Sequence, residues 1–275
     1  MNGVFVSNEE FLHNLLMDGT VTSSEWVVNS IERDLRLKIE RACSEIAPFV
    51  EGIFLAGSLA KGTAVKGSSD YDFFISIRRS YREESMSEIF NDLYVRLRNI
   101  YGKTAVRKQN VSIGFDLRIY GDDYSIDVVS IDVVPGKKQN DLTDDHTIWK
   151  NKKNTWAKTN VKKQIEYIKQ SGCADYIRLV KIWRNHKRLE LPSINLELSV
   201  LSALEDYRYA ISLYDAFRLI LKYFSEKFEG AKLEDVGNPS NVVSDDMTDV
   251  EKLLVADCAK ECLHFIELGQ LRSCF

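Results

Sequence analysis

The spacing of apolar positions divides the chain into an alternating half and a helical half. Residues 8–47 read as helical, with Val27, Ile31, Leu35 and Ile39 at near-helical spacing behind Ser24, a residue suited to an N-cap. The apolar run Ile53-Phe54-Leu55-Ala56 predicts a strand over 51–56. Residues 71–77 alternate: Tyr71, Phe73, Ile75 and Ile77 share one face, Asp70, Asp72 and Ser76 the other, and Phe74 breaks the pattern. A helix is expected over 81–100, carrying Met86, Ile89, Leu93, Val95 and Leu97. Residues 111–119 and 124–134 alternate on either side of Gly121-Asp122-Asp123 and predict a hairpin. Pro135-Gly136 is expected to stop it, and polar residues 136–157 to form a long loop or connection. Beyond about residue 158 the patterns are helical, over 160–171, 174–189, 195–207, 211–228 and 248–267. An irregular loop is expected from Asp235 to Asp246.

These elements predict an α+β first lobe, residues 1–157, and a helical second lobe, residues 158–275, with a cleft between them. A length of 275 residues suits one large domain or two intimate ones. No apolar run approaches the roughly 20 residues of a membrane helix, and the opening residues MNGVFVSNEE do not resemble a signal peptide. Five scattered cysteines fit a reducing, cytoplasmic setting. Cys258 and Cys262 lie four apart with only His264 as a further soft ligand nearby, so they are expected in the core. Basic clusters exist at Lys137-Lys138 and at Lys150, Lys152 and Lys153, but a net charge of −4 does not indicate a protein living on RNA or DNA. It is neutral toward nucleoside triphosphates.

The densest chemistry lies between Gly57 and Asp72. Gly57-Ser58 follows a predicted strand, where glycine lets backbone approach a phosphate and the Ser58 hydroxyl and nearby amides can donate to it. Lys61 and Lys66 add charge that is either phosphate-directed or solvated. Asp70 and Asp72, two apart on a strand, share a face about 7 Å apart at the backbone. Paired carboxylates beside a phosphate cradle suit Mg²⁺ or Mn²⁺. Two such ions would activate an attacking hydroxyl and neutralise a leaving pyrophosphate. An isolated Asp-x-Asp would be a solvated strand face; the strand–turn–strand context makes the string far more specific. A third carboxylate is expected from Asp116, Asp127 or Asp132. The last two belong to a tandem repeat, Ser125–Val129 and Ser130–Val134, whose shift of five flips the face in a regular strand. Pattern alone does not choose between them.

Gly57-Ser58 followed by Asp70-Tyr71-Asp72 resembles the signature of the DNA polymerase β-like nucleotidyltransferase superfamily. Ile131-Asp132-Val133-Val134-Pro135 is similar to the third-carboxylate strand of one branch, which favours Asp132. Arg178–Trp183 resembles the helix whose lysine, here Lys181, contacts the donor triphosphate. Leu191–Glu197 resembles the segment whose serine, here Ser193, also contacts it, and Asn238-Pro239 through Val243 resembles a loop of these proteins. The branch contains oligoadenylate synthases, cyclic GMP-AMP synthase, the bacterial cGAS/DncV-like nucleotidyltransferases (CD-NTases) and archaeal-type CCA-adding enzymes. The resemblance implies a polymerase-β-like core packed on a helical lobe, with Asp70, Asp72 and Asp132 holding two Mg²⁺ or Mn²⁺ ions and Gly57, Ser58, Lys181 and Ser193 holding the triphosphate. Where several relatives place a base-stacking aromatic residue after that serine, this chain has Ile194; Trp156 or Tyr207 could hold the base instead. Outside the resemblance, Lys181 reads as a surface lysine, Trp183 as core, and Ser193 as an N-cap with Glu197 nearly closing a capping box.

The leading expectation is a synthase of cyclic or linear oligonucleotide signals, as in anti-phage defence, acting with a nucleotide-gated effector. An RNA 3′-terminal enzyme of CCA-adding or poly(A) type is expected to need a basic surface and a further RNA-binding domain. Transfer to a small molecule or a protein fits the Lys181 and Ser193 segments less well. A degenerate nucleotide sensor conflicts with retention of three carboxylates.

Overall fold

The computed structural model describes residues 6–43, 45–68, 70–80, 85–120, 126–207 and 211–275. Two helices open it, α1 (Asn8–Gly19) and α2 (Glu25–Ala42), where the sequence pattern had suggested one helical stretch. Ser24 caps α2 as expected, accepting from the Val27 N–H, and Ile31, Leu35 and Ile39 form its buried stripe. Strand β1 (Val50–Leu55) runs into the short helix α3 (Gly57–Lys61) and returns as β2 (Tyr71–Ile77). Helix α4 (Met86–Tyr101) starts on a capping box formed by Ser85 and Glu88; positions 81–84 of the expected helix lie outside the described residues. Strands β3 (Arg107–Lys108), β4 (Ile113–Tyr120), β5 (Ile126–Lys138), β6 (His146–Lys150) and β7 (Thr155–Thr159) complete a seven-stranded mixed sheet. Its order is β1-β2-β5-β4-β3, with β6 on β5 and β7 on β6; β2 and β5 run parallel.

Two expectations for this region are corrected. Pro135-Gly136 does not end the strand: β5 continues to Lys138. Its ladder with β4 reaches only Val133 and its ladder with β6 starts at Gly136. Pro135 therefore falls in the gap on that edge, where a missing N–H is tolerated. Residues 136–157 are likewise not a long loop, because β6 and most of β7 lie within them as an antiparallel hairpin.

The second half is helical: α5 (Val161–Gln170), α6 (Ala174–His186), α7 (Ser193–Ala203), α8 (Leu213–Glu226) and α9 (Asp249–Glu267). The segment read as an irregular loop contains two short strands, β8 (Glu234–Asp235) and β9 (Asn238–Val242), and a 3-10 turn over Val243–Asp246. Two cores result. One packs α2 and α4 against the sheet through Phe73, Ile75, Phe115 and Val133. The other joins α5–α9 around Trp183, Phe217 and Phe224. Helix α1 contributes Leu12 and Leu16 to the second core, so the spatial division does not follow the sequence division at 157/158. Cys262 and Cys274 are buried there and Cys258 is half-buried; the Trp183 indole donates to the Cys262 sulfur at 3.2 Å. Among the described residues no helix is long and apolar enough to cross a membrane.

Candidate active site

The turn after β1 brings backbone and carboxylate together. The Ala56 N–H donates to the Asp72 carbonyl at 2.7 Å, and Gly57 then turns with φ +60°. A side chain at Gly57 would place its Cβ 1.7 Å from Asp72 Oδ2, so glycine is required by both conformation and space. The Ser58 N–H donates to the Asp72 carboxylate. Asp72 sits on β2 directly beside Asp132 on β5 in the parallel register, and Asp70 just precedes β2.

The register also separates the three candidates for the third carboxylate. Asp132 faces Asp72 across one ladder and Gly114 across the other. Asp116 pairs with Ser130, two positions along β5, accepts from its hydroxyl at 2.9 Å and lies 3.7 Å from Arg107. The Asp127 backbone pairs with Ile119, four positions before the stretch of β5 that meets β2. Gln109 Nε2 donates to Asp132 Oδ1 at 2.9 Å, and the Ser112 hydroxyl donates to Oδ2 at 3.2 Å. A Cβ at Gly114 would meet Asp132 Oδ1 at 2.8 Å and Gln109 Nε2 at 2.7 Å. Sequence reasoning missed Gln109, Ser112 and Gly114. The signal available for Gly114 was a glycine inside an otherwise alternating strand.

The clustered charge shows in acidity. Burial first, then the charges of Asp132 and Asp70, push the Asp72 carboxyl up to about 7, against the opposing pull of Lys61 and the Ser58 N–H. Burial and Asp70 raise Asp132 as well, although Ser112, Arg107 and Gln109 oppose them. Among the described residues, no three acidic, His or Cys side chains are already drawn into chelating positions. Hard carboxylate oxygens crowded with this much mutual repulsion nevertheless fit a divalent cation, which would relieve it.

Two cavities meet at this cluster, sharing Gly57, Lys61 and Asp72. The smaller, about 270 Å³, is lined by Ser58, Ser68, Lys181, Arg184, Ser193 and Glu197. Ser193 is the first residue of α7 and makes no capping bond; Arg184 donates to its hydroxyl at 3.2 Å. Lys181, which would be a surface residue on sequence alone, is 2% exposed and donates to Glu197 Oε1 and Thr63 Oγ1, each at 2.9 Å. Glu197 is 1% exposed and receives Lys61 on its other oxygen at 2.8 Å, so it is no capping residue. The Arg184–Asn185 pair continues across the cleft, where Asn185 donates to the Ser68 hydroxyl at 2.9 Å. Lys66, the other basic residue of the turn, does not line either cavity.

The larger cavity, about 510 Å³, has apolar walls from Phe74, Val134, Ile148 and Ile194 and polar groups from Gln164, Asp235 and Asn241. Phe74, which broke the alternation of β2, serves here; its ring packs 4.9 Å from that of His146 and lies over Gly136, where a Cβ would come within 2.2 Å of it. Trp156 and Tyr207 do not line this cavity; both are half exposed, at 56% and 52%.

A sequence profile described as Second Messenger Oligonucleotide or Dinucleotide Synthetase domain matches residues 7–171. The chain belongs to this synthetase family. Its members are the CD-NTases, so the protein is a nucleotidyltransferase by family. Among solved structures, the synthetase is similar to CdnC of Escherichia coli MS115-1 determined with ATP, at 18% identity over 95% of this chain and 92% of that one, with a TM-score of 0.74. It is similar to the Bradyrhizobium diazoefficiens CD-NTase CdnG in complex with GTP, at 13% identity over 97% and 93%, with a TM-score of 0.75. It also resembles the Cid1 poly(U) polymerase, in a mutant bound to MgATP, at 14% identity over 94% of each chain, with a TM-score of 0.59. These likenesses establish the α+β nucleotidyltransferase fold with its helical lobe. No curated protein sequence matches the chain.

Proposed function

We propose that this synthetase joins nucleoside triphosphates into a cyclic or linear oligonucleotide second messenger, releasing pyrophosphate in a metal-dependent reaction, and that it acts in cytoplasmic anti-phage signalling through a nucleotide-gated effector. The observation that carries the reading is Asp72, beside Asp132 in the register and close to Asp70, at the junction of a serine-lined cavity holding Lys61, Lys181 and Arg184 and a more apolar one. The first suits phosphates and the second a base or an acceptor nucleoside.

In this reading Asp70, Asp72 and Asp132 would hold one or two Mg²⁺ or Mn²⁺ ions. When bound, such ions supply charge neutralisation for the triphosphate and a lowered pKa for the attacking hydroxyl. Gly57 keeps the backbone clear beside Asp72. Ser58, Ser193 and Lys181 line the space for the triphosphate. A ribose hydroxyl oxygen of the acceptor bonds to the α-phosphorus, the bond from that phosphorus to the α,β-bridging oxygen breaks, and pyrophosphate leaves. The hydroxyl proton passes to the carboxylate of Asp132, which Gln109 and Ser112 hold in place.

Incubation with four labelled triphosphates and Mg²⁺ or Mn²⁺, followed by chromatography and mass analysis, tests the reading. Small phosphatase-resistant oligonucleotides, absent with Asp70→Asn, are the expected result; label appearing only on added RNA would overturn it. The overlap with the poly(U) polymerase over 94% of each chain favours RNA 3′-end extension as the second reading, and the same assay decides between them. The complex of the E. coli CdnC with HORMA-deltaN makes a protein partner a natural companion test.

A further inference from the structure

Helix α7 is apolar along Leu196, Leu198, Val200 and Leu201, yet it buries Glu197 among them. The two oxygens of Glu197 receive two lysines from opposite sides of the cleft: Lys61, on α3, at 2.8 Å and Lys181, on α6, at 2.9 Å. Thr63 accepts a second bond from Lys181, and Arg184 adds a third cation within electrostatic reach. Two cations therefore bond one buried carboxylate from two lobes, and Arg184, which also feels Glu190, lies near them. Lys61 is shared with the carboxylate cluster, where it opposes the rise in the pKa of Asp72. Breaking such a buried pair by removing one partner is costly, so the three side chains hold one another in place.

We infer that Glu197 is a positioning residue for the donor triphosphate: it holds the ammonium groups of Lys61 and Lys181 together from the two lobes, so that both stand charged and in place at the smaller cavity. The inference rests on the reading of that cavity as the triphosphate site. Both lysines hold Glu197 below the ordinary carboxylate range in spite of the larger opposing effect of burial, so it is an anion at neutral pH. Burial pulls the Lys181 ammonium down, Lys61 and Arg184 add to that, and Glu197 is the group that opposes them. Without the Glu197 charge, Lys181 loses its proton more readily as pH rises.

The test uses inorganic tripolyphosphate with Mg²⁺, a probe that does not depend on base choice, measured by calorimetry from pH 7 to 9. Glu197→Gln should bind it about threefold more weakly than wild type at pH 7 and more than about tenfold more weakly at pH 9. Equal affinity throughout, or a deficit that does not change with pH, would overturn the inference. A purely structural residue would shift the melting temperature without a pH-dependent affinity ratio. If Glu197→Gln does not fold, the pair Glu197→Gln with Lys181→Met removes both buried charges. Against Lys181→Met alone, the added Glu197→Gln should then cost less than threefold; a loss of tenfold or more would also overturn the inference. Wild-type protein that binds neither tripolyphosphate nor any nucleoside triphosphate would instead overturn the synthase reading itself.

Discussion

Two buried charge clusters lie side by side in the cleft, and they are built on opposite plans. Around Asp72 and Asp132, like charges crowd together; hydrogen bonds from Ser58, Gln109 and Ser112 and the charges of Lys61 and Arg107 oppose the repulsion without overcoming it. Around Glu197, unlike charges meet at 2.8–2.9 Å and the hydroxyl of Thr63 joins them. The first cluster carries mutual repulsion that raises the pKa of Asp72 and of Asp132. The second is assembled in advance. A ligand that brings both a divalent cation and a polyphosphate satisfies both plans at once, which is why the pair says more than either cluster alone.

Removing a member of the first cluster should have the largest effect. Asp72→Asn or Asp132→Asn should lower product formation by more than about 100-fold, beyond the 10–100-fold usual for outer-shell partners. Melting of the metal-free variant should stay level or rise, because a repelling charge is gone. An active Asp132→Asn enzyme would move the third ligand to Asp116 or Asp127.

Gly57→Ala should come next. The φ of +60° and the 1.7 Å approach to Asp72 Oδ2 both penalise a methyl group. Activity should fall with the carboxylate variants, and denaturant melts should show a loss of about 1–3 kcal/mol. Wild-type melts would mean that the turn relaxes, and that the closeness of Gly57 to Asp72 is not tightly held.

The acidity of Asp72 gives a smaller effect with a definite sign. Its folded-state pKa is raised to about 7 from an ordinary value near 4, so between these limits the folded protein binds the proton more tightly than the unfolded chain. Its contribution to stability is present below about pH 4 and is lost as pH rises through 7. Metal-free melts should therefore show this loss from pH 5 to pH 8, and Mg²⁺ should reverse it at pH 8. Asp72→Asn should flatten the profile; an unchanged profile would assign the dependence to another group.

The smallest effect belongs to a third, exposed cluster. Asp246 pairs with Lys150 at 3.0 Å and Lys153 at 2.6 Å, linking the β6–β7 hairpin to the helical lobe at the rim of the larger cavity. Asp246→Asn should change stability by less than about 1 kcal/mol, decreasing further at high salt. A larger loss would show that the rim bridge, and not the Glu197 network, holds the lobes together.

Much of this molecule was legible in its sequence because helices and strands are local repeats. The cap at Ser24, the stripe of α2 and the strand that carries Asp72 all survive in the structure. The β6–β7 hairpin was not legible. Strand β7 buries only Ala157 and Thr159, so its composition is that of a loop. Lys181 and Ser193 could be singled out only through resemblance; nothing local distinguishes a buried lysine from an exposed one. The capping role that Glu197 would have on local pattern alone fails for the same reason, although a lone acid in an apolar helix was a visible anomaly.

By itself the sequence determined most element types, a strand carrying Asp72 with Asp70 just ahead of it, and the glycine-serine turn before them. Only the tertiary structure decided that Asp132 is the acid beside Asp72, that α1 joins the helical core, and that Lys61 and Lys181 share Glu197. The reason is range. Periodicity and capping are set by neighbours three or four residues apart, whereas strand register and the pairing of Lys61 with Glu197, 136 positions away, are settled by packing alone.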